Sequence, residues 1–305
     1  MNTLLIIRDS LIEKYNRFDF VLRPLIRFVI AFIILTVLQS KVGYFGQFSR
    51  LVVIAAFSVF CAFFPLGCIS VVAGVFLLAD MVSISYAMAI FGAGSLMLIF
   101  ILYYGFKPGT GIIMALVPFA FALDLPFLIP VMLGLNVGIY SVIPAAIGVF
   151  IWNMIKYFME NAAVLSEAPA ADIADSFVEI SSGILNDRYM LAVILAFVIA
   201  IIAVSIISNS SMNYSWPAAV ITGIAVQTVV FIAADIIYGG RPLVMDVIGL
   251  IASFLISMLY ALVFYSVDYR NTERLRFEDD DYVYYVKAVP KIDPYRDDEG
   301  YDIKR

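Results

Sequence analysis

Apolar residues run along this chain in long blocks, separated by short polar or Pro/Gly-containing breaks. A membrane helix takes roughly 20 predominantly apolar residues. Blocks of that kind fall at 22–39, 51–64, 65–82, 84–104, 110–124, 126–140, 141–159, 190–208, 216–238 and 244–266. The pattern predicts an all-α fold, a polytopic transmembrane helical bundle of about ten spans with short or broken helices in the middle. The two blocks between 110 and 140 are shorter than a full crossing, so tilting, re-entry or merging would lower the count to eight or nine.

Two segments have a different periodicity. In residues 1–20, Leu4, Ile7, Leu11, Tyr15 and Phe18 recur at helical spacing, while Arg8, Lys14 and Arg17 supply positive charge. This predicts an interfacial amphipathic helix, either on the headgroups or packed on the bundle. Residues 160–188 hold Glu160, Glu167, Asp172, Asp175, Glu179 and Asp187 against Arg188 alone, with Ile173, Phe177, Ile180 and Ile184 at helical spacing. An acidic external loop carrying an amphipathic helix is expected there. It divides a front bundle of about seven spans (21–159) from a back bundle of three (189–266), and residues 267–305 form a tail. An offset of 56 residues sets Val75, Leu77, Asp80, Ala89, Gly92 and Ile99 on Val131, Leu133, Asn136, Ala145, Gly148 and Ile155. With this span count, such a repeat would have inverted topology.

Composition supports the membrane class. The 305 residues are 63% hydrophobic and 14% charged, with a mean hydropathy of +1.00, whereas soluble domains carry about 25% charged residues. There is no histidine, which excludes histidine acid/base catalysis and the commonest metal ligand. Cys61 and Cys68 lie seven apart in apolar sequence and are expected to be small buried hydrophobes. Neither a bound metal nor a cofactor is expected. Basic residues stay on the cytoplasmic side of spans. Ten spans then put both termini inside, with Arg8, Lys14, Arg17, Arg23, Arg27, Lys107, Arg270, Arg274 and Arg276 facing inward against Lys41, Arg50, Lys156, Arg188 and Arg241 outside.

Ionisable residues within a bilayer are costly, and each is a functional candidate. Arg27, Asp80, Asp124, Lys156, Asp235, Arg241 and Asp246 make up that set. Asp80, Asp124, Asp235 and Asp246 are expected near outer helix ends. They form either a solvated rim or an acidic vestibule for cations, with Arg241 as counter-ion. The deep polar residues are neutral: Ser95, Asn136, Asn153, Gln227, Thr228 and Ser253. Their two roles are interhelical hydrogen bonding and substrate contact. Pro108, Pro118, Pro126, Pro130 and Pro144, with Gly109, Gly111, Gly134 and Gly138, make 107–148 the most broken membrane stretch. Discontinuous helices bind substrate in many transporters, so Asn136, Asn153, Gln227, Pro130 and Pro144 are the candidates for a cavity. Lys107 to Gly111 lacks the Gly-Lys-Ser/Thr ending of a phosphate loop and reads as a turn.

The tail carries Phe277-Glu278-Asp279-Asp280-Asp281 and then Tyr282-Val283-Tyr284-Tyr285-Val286-Lys287-Ala288-Val289-Pro290-Lys291. So short and polar a segment should not fold alone. It could add a strand to a partner's sheet, lie along the protein's own inner surface, or stay disordered. Phe277, Tyr282, Tyr284 and Tyr285 would carry docking, and the acidity argues against nucleic acid. Phe277 to Lys291 resembles the tails of uncharacterised multi-pass membrane proteins of Firmicutes-type bacteria. The resemblance implies a bacterial plasma (inner) membrane and brings no activity.

The expected function is a permease-like protein or membrane subunit of a transport system, in contact with the lipid bilayer. The alternative is a non-catalytic scaffold of a cell-envelope complex that docks a cytosolic or membrane partner through 277–305. With no paired midplane aspartates and no nucleophile–base pair, an enzyme is not expected.

Overall fold

The computed structural model describes residues 18–106, 110–167, 173–210, 214–238, 243–264, 273–278 and 283–288. Eleven helices follow in order: α1 (Asp19–Lys41), α2 (Leu51–Phe63), α3 (Cys68–Ile84), α4 (Tyr86–Phe106), α5 (Ile113–Ala122), α6 (Leu128–Asn136), α7 (Val142–Glu167), α8 (Ile173–Leu185), α9 (Arg188–Ser208), α10 (Ser215–Tyr238) and α11 (Leu243–Phe264). A 3₁₀ turn, Gly138–Ser141, leads into α7. Each of the ten apolar blocks contains a helix, because an uninterrupted apolar run in lipid satisfies its backbone groups only by coiling.

Among the described residues, fewer helices are long and apolar enough to cross a membrane than the pattern predicts. Five helices are long and apolar enough to span a membrane: α1, α7 with its 3₁₀ lead-in, α9, α10 and α11. The chain is a membrane protein with five such helices among the described residues, fewer than the eight to ten expected. For three of the helices the shortfall is one of length. α2 has 13 residues, α5 has 10 and α6 has 9, and at 1.5 Å per residue the last two reach only about 15 Å each.

The surface is the clearest sign of the solvent this fold expects. Along α11 the buried positions are Asp246, Gly249, Ser253, Ser257 and Ala261, while Val247, Ile248, Ile251, Leu255, Ile256, Leu259 and Leu262 face outward. A water-soluble helix has the opposite arrangement. Small and weakly polar residues inside, with branched aliphatics outside, is the packing that lipid favours.

Three apolar clusters hold the bundle together. One joins α1, α2 and α3 to the start of α5, a second joins α3, α4, α7 and α8, and the third gathers α5, α6, α7, α9, α10 and α11. In the third, Val204 of α9 fits between two glycines. A Cβ on Gly134 of α6 would lie 2.7 Å from the Val204 Cβ, and one on Gly223 of α10 would collide with its Cγ2. Both glycines therefore let three backbones approach closely.

The amphipathic helix expected at 160–188 is α8. It docks into the bundle, with Ile180 and Ile184 fully buried and Phe177 edge-on to Phe91 of α4 at 5.9 Å. The N-terminal helix expected at 1–20 lies outside the described residues, apart from its last three. In the tail, β1 (Glu273–Glu278) and β2 (Val283–Ala288) pair antiparallel as a two-stranded hairpin, with Leu275 opposite Val286 and Phe277 opposite Tyr284. The tail thus folds locally where no structure of its own was expected. Tyr282 and Arg241 lie outside the described residues.

Candidate functional site: a cavity beside a broken central helix

The break between α5 and α6 is built by its own sequence. After Ala122 the Asp124 backbone turns left-handed (φ 59°), the Asp124 N–H donates to Phe121 and the Leu125 N–H to Ala120. This is a Schellman ending with aspartate in the place usually held by glycine. Pro126 follows and bars continuation, so the chain restarts as α6 at Leu128. Eight of the ten residues of α5 and five of the nine of α6 are buried. The Phe127 carbonyl, at the start of α6, also accepts a hydrogen bond from Gln227 Nε2 at 3.3 Å. Gln227 is 0% exposed, and its Nε2 also reaches the Gly223 carbonyl at 3.0 Å. The Phe127 ring lies 4.7 Å from that of Phe231.

Two cavities touch α5. The smaller, about 40 Å³, lies among α1, α3, α4, α5 and α7, lined by Met114, Ala115 and Pro118 with Gln39, Ser70 and Asp80 as its polar members. At roughly 10–15 Å³ per molecule it could hold about three waters. The larger, about 200 Å³, lies between α7 and α9 at the end of α5. It is lined by Phe121, Val149, Trp152, Asn153, Lys156, Tyr189, Met190 and Val193. α7 separates the two, presenting Ile151 and Ile155 to the first and Val149, Trp152, Asn153 and Lys156 to the second.

The larger cavity combines an aromatic wall with one cation. The Phe121 and Trp152 rings stack at 5.5 Å, and Phe121 stacks in turn on Phe197 at 5.9 Å. Lys156 Nζ stands 5.4 Å from the centre of the Tyr189 ring and 3.9 Å from Glu160 Oε1. Asn153 is buried, its Nδ2 3.5 Å from the Ile184 carbonyl of α8. Tyr189 is set by the start of α9, where Asp187 caps the helix by accepting from the Tyr189 N–H at 2.8 Å. Such a pocket can hold an apolar body and fix one anionic group.

Other sequence candidates fall elsewhere. Pro130 and Pro144 line neither cavity. Each is the third residue of its helix, α6 and α7, where a missing N–H costs nothing. Asn136, expected deep, is exposed at the end of α6, bonded to the Met132 carbonyl and accepting from Tyr260 at 2.6 Å. The four aspartates do not form a solvated rim. Asp80 is 1% exposed, accepting from Gln39 Nε2 at 3.0 and 3.1 Å and from the Phe45 N–H at 2.7 Å, and Asp235 and Asp246 are buried as well. Only Asp124 is half-exposed. Gln227 Oε1, Ser253 Oγ and Ser257 Oγ are buried without a hydrogen-bond partner. Among the described residues no group of three or more Cys, Asp or Glu is placed to hold a metal.

Sequence reasoning reached Asn153 and Lys156 separately but missed Phe121, Trp152, Tyr189 and Met190 as their neighbours. The available signal was Trp152, Asn153 and Lys156 on one face of an otherwise apolar helix. No family model, no curated protein and no solved structure matches this chain.

Proposed function

We propose that this chain is a permease-like membrane protein, or the membrane subunit of a transport system, whose substrate path runs through the cavity between α7 and α9. The observation that carries the proposal is the buried, discontinuous α5–α6 pair with that cavity at its break. Discontinuous helices are tolerated at membrane depth where they meet protein or a cavity, and transporters use them to bind substrate. The solid packing of α6, α9 and α10 around Val204 supplies a rigid frame against which such a site could open. Catalysis has no place in this reading.

A second reading is a scaffold that docks a partner through its C-terminal tail, in the manner expected from Phe277 to Lys291. The β1–β2 hairpin favours it, since each strand has only one neighbour among the described residues and a sheet edge invites strand addition. The two readings part at the cavity. A substrate path must be reachable from both sides of the membrane in turn, and a scaffold needs no such access. A single cysteine at Asn153 (N153C), in a chain whose Cys61 and Cys68 are replaced by alanine, reports this through a membrane-impermeant thiol reagent offered from either side. Labelling from both sides supports a permease, and labelling from one side or neither supports the scaffold.

A further inference from the structure

We infer that the cavity between α7 and α9 binds an anionic amphiphile, a molecule with a carboxylate or phosphate head and an extended apolar body. The inference deepens the permease reading by naming the ligand class of its cavity, and it rests on that reading only for the movement of the ligand. Four observations carry it. Among the described residues Lys156 is the only cation lining the cavity, and no carboxylate lines it. Its ion-pair partner, Glu160, sits a turn further along α7 at 3.9 Å, the outer limit of an ion pair, and the Glu160 side chain is 62% exposed. An exposed i,i+4 pair of this kind is weak and exchanges readily for a better-placed anion. Apart from the neutral amide of Asn153, the remaining lining is apolar or aromatic, with Phe121, Val149, Trp152, Met190 and Val193 facing a volume of about 200 Å³.

The placement fits the same chemistry. Tyr189 is the second residue of α9, so the cavity opens at a helix start, where amphipathic aromatic rings and lysines meet headgroups in membrane proteins. A cationic ligand would face Lys156 with no compensating carboxylate in the lining, and a neutral apolar ligand would leave the ammonium unused. An anionic head bound to Lys156 with its body along the Trp152–Phe121 wall satisfies both.

The chain holds two tryptophans, Trp152 and Trp216, so Trp216→Phe leaves the cavity residue as the sole reporter. The full-length variant, purified into nanodiscs of zwitterionic lipid, is titrated with a dibrominated fatty acid, whose bromines quench tryptophan on contact. The methyl ester of the same acid serves as the uncharged control. Saturable quenching by the acid and at least tenfold weaker action of the ester are expected. Lys156→Gln should weaken the acid at least tenfold while Lys156→Arg retains it, which separates loss of charge from loss of fold. Brominated phosphatidylglycerol against brominated phosphatidylcholine then identifies the source. Selective quenching by the anionic lipid assigns the site to a membrane lipid, and quenching by the free acid alone assigns it to a soluble amphiphile. Equal quenching by acid and ester, or acid quenching that survives Lys156→Gln unchanged, would overturn the inference. Quenching reads occupancy and cysteine labelling reads access, so each proposal can fail while the other stands.

Discussion

Lys156 of α7 holds its ammonium 5.4 Å from the centre of the Tyr189 ring at the start of α9. The contact joins two long helices across the larger cavity, yet it is weak. A cation–π contact at a partly exposed site contributes about 0.5–1 kcal/mol, and the exposed partner Glu160 adds little. Lys156→Gln should therefore lower the stability of the ligand-free protein by less than about 1 kcal/mol. Thermal unfolding in detergent measures it. A loss of several kcal/mol would make Lys156 a structural tie and remove the reason to regard it as a ligand contact.

Val204 makes unequal demands on the two glycines beside it. Gly134→Ala would meet the Val204 Cβ, which any residue except glycine carries, whereas Gly223→Ala would meet its Cγ2. Each single change should cost about 1–3 kcal/mol through overpacking. Val204→Ala removes the γ-carbons only. It should restore Gly223→Ala toward the stability of Val204→Ala alone and leave Gly134→Ala impaired. A double-mutant cycle on unfolding temperatures checks the asymmetry, and equal rescue of both would refute this packing.

Asp80 ties the α1–α2 connection to α3 through the Phe45 N–H at 2.7 Å and Gln39. Hydrogen bonds to a charged acceptor contribute about 1.5–3 kcal/mol each. Asp80→Ala is expected to destabilise the fold by about 3 kcal/mol and to raise hydrogen exchange at the Phe45 amide first. If that amide exchanges no faster in the variant, the connection is held by something other than Asp80.

Gln227 donates to the Phe127 carbonyl at the start of α6. Interhelical hydrogen bonds in lipid average about 0.6 kcal/mol, and here the gain is offset by an unpartnered Oε1. Gln227→Leu should shift the unfolding temperature by only a few degrees (about 1 kcal/mol or less) and leave quenching of Trp152 by the brominated acid intact. Loss of that quenching would place Gln227 in the ligand path.

The helices were legible because apolar blocks and Pro/Gly breaks are local properties. α9, expected over 190–208, runs Arg188–Ser208, and α10, expected over 216–238, runs Ser215–Tyr238. What the sequence hid was whatever depends on residues far apart. Asp80 at a helix end looks like an interfacial charge, and only Gln39 and Phe45, 41 and 35 residues away, make it a buried acceptor. The break at Asp124-Leu125-Pro126 was visible, but hydropathy alone could not say that both halves would be buried and too short to cross. The cavity was the least legible part. Its two walls come from α7 and α9, and nothing in either run announces that Trp152 faces Tyr189.

The central claim is that the α7–α9 cavity is a substrate path, and the most direct measurement is two-sided thiol accessibility. Asn153→Cys, in the chain with Cys61 and Cys68 replaced by alanine, would be exposed to an impermeant maleimide in right-side-out and inside-out membrane vesicles. Ile251→Cys on the outward face of α11 serves as the lipid-facing control. The account predicts modification of Asn153→Cys in both vesicle types, slowed in each by the fatty acid, with Ile251→Cys unreactive in both. Modification from one side only, or from neither, would contradict it.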